Sequence, residues 1–159
     1  RYFNGSYFRH QLKEAHVITQ FMYAWLATYC FSIIFNVKGN KLIFSAFGGG
    51  IAWIFYYIST SHYSSGISFF IATFVLTIYS EIVSRYLKTV VTSILIPGLI
   101  PLVPGSGIYH TMLSIIEKKP MEAFFKGIDT LNIAGAIALG IIVISSTVKI
   151  FKDIKKRSN

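Results

Sequence analysis

Residues 96–110 carry the most unusual pattern in the chain. They read IPGLIPLVPGSGIYH, with three prolines and three glycines. Each proline removes a backbone donor and clashes with the preceding turn, so this density is incompatible with an unbroken helix. We expect a half-helix over about residues 90–96, a non-helical stretch, and a second helix over about 106–116. Such a break exposes free carbonyls on one side and free N–H groups on the other.

The second half-helix would begin in a Pro-Gly-Ser-Gly run. Its first N–H groups and the positive end of its dipole would attract a carboxylate, and the glycines permit close backbone approach. The candidate binding residues form the break and the turn that follows: Pro97, Pro101, Pro104, Gly105, Ser106, Gly107 and Tyr109. The alternative is a proline-kinked structural helix with glycines for packing. Tyr109 could equally line a cavity or anchor the chain at the membrane interface.

Three ionisable residues near this segment are candidates for proton coupling, namely Glu81, Arg85 and His110. Glu81 precedes Arg85 by one helical turn, which is typical of an interfacial ion pair, but ionisable groups in membrane spans are also functional candidates. His110 directly follows the proline motif, and the unperturbed pKa of histidine, about 6.5, lies in the physiological range. An interfacial histidine near a helix end is the alternative. Asp129 precedes the last apolar run and is predicted to be its N-cap, with proton coupling as the alternative.

The sequence predicts neither a catalytic residue nor a metal site or cofactor. No second His, Cys or carboxylate stands at ligand spacing from His110. Residues 105–107 lack the full Gly-x-Ser-x-Gly elbow of a serine nucleophile. No Gly-x-x-x-x-Gly-Lys loop is present for ATP. These patterns argue against an enzyme.

The elements that must position these residues are long apolar runs. Apolar residues make up 53% of the 159-residue chain and charged residues 13%, against roughly 25% charged residues in an average soluble domain. So few charges cannot cover a soluble fold, which leaves lipid as the outer solvent. The sequence therefore predicts an all-α, polytopic membrane helix bundle in one transmembrane domain over 17–148. Its five spans would cover about 17–35, 42–60, 67–84, 89–116 (broken) and 130–148.

The flanking segments are polar. Residues 1–16 are predicted to be a tail or an interfacial helix, residues 117–127 a loop, and residues 149–159 a basic tail. The net charge of +9 comes from basic residues scattered among these segments, a distribution typical of topology signals and lipid contacts and not of nucleic-acid binding. With five full spans, nine Lys and Arg collect on the side of the C-terminus and six on the other. The positive-inside rule then predicts a cytoplasmic C-terminus. A re-entrant proline segment would make the split eight to seven and decide nothing.

Small residues cluster in two of the runs. Gly48, Gly49 and Gly50 in the second run predict close helix packing within the chain. The Ala- and Gly-rich stretch 134–140 in the fifth run fits either packing within the chain or contact with a partner.

The proline motif also resembles a known family. Residues 101–105, Pro-Leu-Val-Pro-Gly, followed by Tyr109, resemble the signature of the threonine/serine exporter family, in particular of the C-terminal membrane half that occurs as a separate short protein. Residues 34–37, Ile-Phe-Asn-Val, are similar to the end of the family's first helix, although Lys38 stands where proline often follows. The Glu81-to-Arg85 segment is similar to the acidic-then-basic exit before the motif. The resemblance spans about residues 16–150.

This resemblance implies a half-transporter subunit of the cell membrane, driven by the proton motive force and completed by a larger partner membrane subunit. Its implied substrates are small polar metabolites that bear a carboxylate, threonine and serine above all. One alternative is a subunit for export of the dicarboxylate succinate, and another is a non-transporting structural or assembly subunit. The partners implied are the larger subunit, the lipid bilayer and the small-molecule substrate, with a homo-oligomer as a further option.

Overall fold

The computed structural model describes the backbone of residues 5–157 and the side chains of residues 17–151 and 154. The described chain is helical and contains no strand. The elements in chain order are α1 (Gly5–Ile34), α2 (Asn40–Ser59), α3 (Ser65–Tyr86), α4 (Thr92–Leu99), a 3₁₀ turn (Ile100–Leu102), α5 (Gly105–Ile116) and α6 (Pro120–Arg157). The predicted all-α bundle is confirmed.

Four of these helices, α1, α2, α3 and α6, are long and apolar enough to cross a membrane. The fifth candidate span is the pair formed by residues 92–102 and α5, whose axes meet at 49°. The structure thus contains four to five candidate spans, and the broken one lies where the prolines predicted it.

Three helices end in the same way. Asn36 after α1, Lys88 after α3 and Lys118 after α5 adopt positive φ angles of 57°, 48° and 58°. In each case the next amide bonds to a carbonyl five residues back, as in the 2.9 Å bond from Val37 N to Ser32 O. This is the Schellman arrangement, which satisfies the last carbonyls of a helix. The positive φ usually favours glycine, and none of the three residues is glycine.

The helix bounds differ from the expected spans at both ends. α1 begins at Gly5, so residues 5–16 continue the helix of the first span, whereas residues 1–4 lie outside the described part. α6 begins at Pro120, so the predicted loop over 117–127 is wrong beyond residue 119, and Asp129 lies inside the helix instead of capping it. Pro120 begins the helix early because a proline ring presets the φ angle of a first helical residue.

The non-helical stretch in the proline segment is also shorter than expected. α4 continues through Pro97 to Leu99, and only Val103 and Pro104 lie outside a helix. Pro101 is the second residue of the 3₁₀ turn and Pro104 precedes α5, so neither position requires an amide donor. Pro97 alone removes a helical hydrogen bond, and a 3₁₀ turn resumes after it with the Ile100 amide bonded to the Pro97 carbonyl.

The centre of the bundle is built on close backbone approach, as predicted for the second span. A Cβ on Gly49 would overlap the Thr28 hydroxyl of α1, and a Cβ on Gly48 would lie 2.9 Å from the Tyr79 ring of α3. A Cβ on Gly98 of α4 would lie 2.9 Å from Leu76, which is fully buried. Small residues therefore let α1, α3 and α4 surround α2.

α6 packs along α3 in a parallel direction. Gly66 faces Asn132, and further along, a Cβ on Gly140 would lie 3.1 Å from the carbonyl oxygen of Phe70. The C-terminal halves of α3 and α6 therefore lie at the same end of the bundle as the α1–α2 turn and the start of α4. We call this the basic end, after the cations it carries: Lys38, Lys41, Arg85, Lys88 and Lys149. Gly135, on the outer side of α6, faces open space.

Candidate functional site

A cavity of about 690 Å³ lies at the break between the 3₁₀ turn and α5. Besides the break itself, the 3₁₀ turn, α2, α3, α5 and α6 contribute to its wall. It lies in the half of the bundle opposite the basic end, since its α3 residues come from the first turns of that helix.

The cavity brings together part of the predicted site. Its wall includes Pro101, Pro104, Ser106, Gly107 and His110. The structure places the remaining candidates elsewhere. Pro97 lines a second cavity at the basic end. Gly105 and Tyr109 are exposed and are not among the residues that line the first cavity, and the Tyr109 ring packs edge-on against the His110 ring at 5.3 Å.

The backbone at the break offers free amide groups to a hydrogen-bond acceptor. Pro104 has φ −76° and ψ 58°, and the Gly105 amide bonds back to the Val103 carbonyl at 2.7 Å, which forms an inverse γ-turn. No side chain caps α5. The amides of Ser106 and Gly107 belong to its first turn, where no earlier helical carbonyl can accept them. The positive end of the α5 dipole therefore opens into the cavity.

Two charged residues of α6, Lys126 and Asp129, also line the cavity. Lys126 Nζ donates to Ser114 Oγ at 2.9 Å and lies 3.5 Å from the Glu122 carboxylate. Sequence reasoning did not include either residue in the site, because it assigned Lys126 to a loop and Asp129 to a cap. Their separation of three residues, which puts two side chains on one helical face, was the available signal.

An aromatic wall closes another side of the cavity. The rings of Trp53 and Tyr56 lie 5.1 Å apart, and those of Tyr56 and Phe69 lie 4.4 Å apart. Trp53 Nε1 donates to Gln20 Oε1 at 2.9 Å, which fixes the indole. Aromatic faces attract cations, so this wall suits an ammonium group.

A family model described as "Threonine/Serine exporter, ThrE" matches residues 20–147, which include the break and every residue that lines the cavity. The chain belongs to the threonine/serine exporter family. This confirms the resemblance seen in the proline motif. A search of the curated proteins and a search of the solved structures each gave no match.

In this exporter-family chain, the cavity wall is held by a seam between α5 and α6. A Cβ on Gly107 would overlap the Thr130 hydroxyl, and a Cβ on Gly127 would lie 3.5 Å from Thr111. Further along α5, Ser114 accepts the hydrogen bond from Lys126. The seam therefore sets how far Lys126 lies from the first turn of α5.

The other two coupling candidates lie away from this cavity. Glu81 is buried on α3 near the basic end, and its carboxylate lies 3.7 Å from the guanidinium of the exposed Arg85. Thr77, Ser80 and Ser84 are buried on the same part of α3, which gives Glu81 a polar setting. The structure thus separates Glu81 and Arg85 from His110.

Glu117, the residue after α5 and seven residues after His110, pairs with Lys119. Lys119 Nζ donates to Glu117 Oε2 at 2.9 Å. This hydrogen bond lowers the pKa of Glu117 and raises the pKa of Lys119. Within the described residues, no group of three or more His, Cys, Asp or Glu could hold a metal ion.

Proposed function

We propose that the cavity binds a zwitterionic amino acid, of the threonine or serine type, for export. The observation that carries this proposal is the presence of both Lys126 and Asp129 in one cavity wall. The substrate carboxylate would accept hydrogen bonds from the amides of Ser106 and Gly107, and Lys126 would turn from Ser114 to face it. Its ammonium group would face Asp129 and the aromatic wall.

The same charges disfavour a dicarboxylate such as succinate. A second carboxylate would face Asp129, and like charges at close range repel. Among the described residues, Lys126 is the one Lys or Arg that lines the cavity, so the second carboxylate of a dianion would find no basic side chain there. The zwitterion leaves each charged group of the cavity with an opposite partner.

We further propose that the chain is half of the exporter and works with a larger partner subunit. In the apolar stretch of α6 that could cross a membrane, only 6% of the residues are buried within the chain. The corresponding share in α3 is 50%. The exposed side of α6 is therefore available to a partner as well as to lipid. A second copy of the chain is the alternative occupant of that side.

The proposed location is the cell membrane, with several crossings and a cytoplasmic C-terminus. The concentration of Lys and Arg at the basic end supports this orientation under the positive-inside rule. Export would be driven by the proton motive force, with Glu81, Arg85 and His110 as the candidates for coupling.

Efflux of labelled threonine, serine and succinate from cells that express the chain with and without its candidate partner tests the proposal. We expect threonine and serine efflux only when both chains are present. Asp129→Asn should lower this efflux at least tenfold by removing the charge that faces the ammonium group. Glu117→Gln removes one negative charge nearby but outside the cavity and should leave efflux intact.

Two outcomes would contradict this assignment. Efflux of succinate that rises in Asp129→Asn, with no threonine efflux in the unmodified chain, would favour the dicarboxylate exporter. Normal efflux in both Asp129→Asn and Lys126→Gln, at normal protein level, would favour the structural or assembly subunit.

A further inference from the structure

A second cavity, of about 450 Å³, lies at the basic end of the bundle. The turn between α1 and α2 forms one side of it, and the first turn of α4 forms the other. Its polar wall consists of Asn36, Lys38, Lys41, Thr92 and Ser93, and none of the residues that line it is acidic.

The electrostatics of this cavity favour an anion. Lys38 and Lys41 line the cavity. The ion pairs among the described residues involve Arg85, Lys119 and Lys126 and neither of these two lysines. The hydroxyls of Thr92 and Ser93 lie in the first turn of α4, where the helix dipole is positive. The cavity thus combines two cations with hydroxyl donors, the groups that bind phosphate oxygens.

The rest of the cavity wall is apolar and faces outward. Phe35, the first residue after α1, is 48% exposed, and Ile96 of α4, in the broken candidate span, is 45% exposed. Because no described helix covers these two side chains, the cavity continues onto the lipid-facing surface. A ligand that fills it must therefore be polar and anionic at one end and apolar at the other.

We propose that this cavity binds the headgroup phosphate of an anionic phospholipid. Lys38 and Lys41 contact the phosphate, the hydroxyls of Thr92 and Ser93 donate to its oxygens, and the acyl chains lie along Phe35 and Ile96. Basic pockets between membrane helices are known to recognise such headgroups. The proposal requires only that the helices lie in a bilayer, and it does not depend on which substrate the first cavity takes.

Native mass spectrometry of the full chain in detergent, titrated with phosphatidylglycerol or phosphatidylcholine, tests the proposal. We expect tight binding of phosphatidylglycerol only. Because each lysine near a headgroup contributes about 1 kcal/mol, the double variant Lys38→Gln, Lys41→Gln should bind about 30-fold more weakly. The double variant Lys88→Gln, Lys149→Gln removes the same charge from the same end, outside the cavity, and should bind normally.

Two further measurements complete the test. One changes the cavity without removing a lysine, and the other distinguishes a phospholipid from a free phosphate compound. Ile96→Trp narrows the cavity while both lysines remain, and should also weaken phosphatidylglycerol binding. Glycerol phosphate, which lacks acyl chains, should fail to displace the lipid at millimolar concentration. Equal weakening in the two double variants would overturn the site, because it would indicate attraction to net charge. Displacement by glycerol phosphate would overturn the lipid as the occupant.

Discussion

Gly107 of α5 lies so close to Thr130 of α6 that any side chain at position 107 would overlap the Thr130 hydroxyl. Both residues line the larger cavity, so the contact that joins the two helices is also part of the wall. The Thr130 hydroxyl donates to the Lys126 carbonyl at 2.7 Å and cannot turn away without losing that bond. The width of the cavity therefore depends on the absence of a Cβ at position 107.

Gly107→Ala should push α5 away from α6 and lower threonine efflux. Overpacking of this kind costs about 1–3 kcal/mol, so the melting temperature of the purified protein should fall as well. Gly135→Ala is the matched control for the melting temperature of the purified chain, since a Cβ there meets nothing of this chain within 4 Å. Alanine also has the higher helix propensity, so the control should melt at the same temperature or higher. Equal behaviour of the two variants would show that the seam does not restrict the cavity.

Leu76→Ala should destabilise the bundle by about 2–5 kcal/mol, because Leu76 is fully buried between α2 and α4. Ile82→Ala on the same helix is the control, with a side chain that is 63% exposed. Denaturation of the purified protein in mild detergent measures the free energy of unfolding of both variants. If Ile82→Ala lowered the stability as much as Leu76→Ala, the result would contradict the packing described for α3.

Lys118→Gly should raise stability by up to about 1 kcal/mol. Lys118 has a φ angle of 58°, a left-handed conformation that costs roughly 1–2 kcal/mol in any residue with a Cβ. Glycine relieves this strain but loses more entropy on folding, so the net gain is smaller. Lys118→Ala removes the same side chain yet keeps the Cβ, and should not stabilise. A higher melting temperature in both variants would assign the effect to charge instead of backbone conformation.

Glu81→Gln should weaken the pH dependence of export if Glu81 carries the coupled proton. The substitution keeps the shape of the side chain and removes its ability to bind a proton. Efflux measured between pH 5.5 and 8.5 gives the comparison, with Glu117→Gln, in the turn before α6, as the control. An unchanged pH profile in Glu81→Gln would assign Glu81 to the ion pair with Arg85 alone.

The sequence predicted the apolar spans, the turn after the first one and the place of the broken helix, because each depends on local residue types. It overestimated the length of the break, since a proline count does not reveal that Pro101 and Pro104 occupy positions where no donor is needed. It also assigned Lys126 to a loop, because polar residues within α6 interrupt the hydrophobic pattern before the membrane span.

Tertiary contacts explain the rest of the difference for the candidate site. Pro97 and Pro101 are four residues apart in one motif, yet they line different cavities. No local pattern indicates which way each ring faces, because that depends on how α4 fits between α2 and α3. The aromatic wall could not be predicted for the same reason, since Tyr56 and Phe69 meet only when α2 and α3 pack together.

α6 links distant parts of the molecule by its length alone. Its 38 residues rise about 57 Å, nearly twice the roughly 30 Å of a bilayer's hydrocarbon core. At Gly140, near its midpoint, its backbone lies close against Phe70 and Thr73 of α3. The part of α6 before this point is held against α5 by the seam at Gly107 and Thr130. A tilt of the whole helix that moves Asp129 outward would therefore have to open that seam or carry α5 with it, and it would swing Lys149 in the opposite direction at the far end of the bundle.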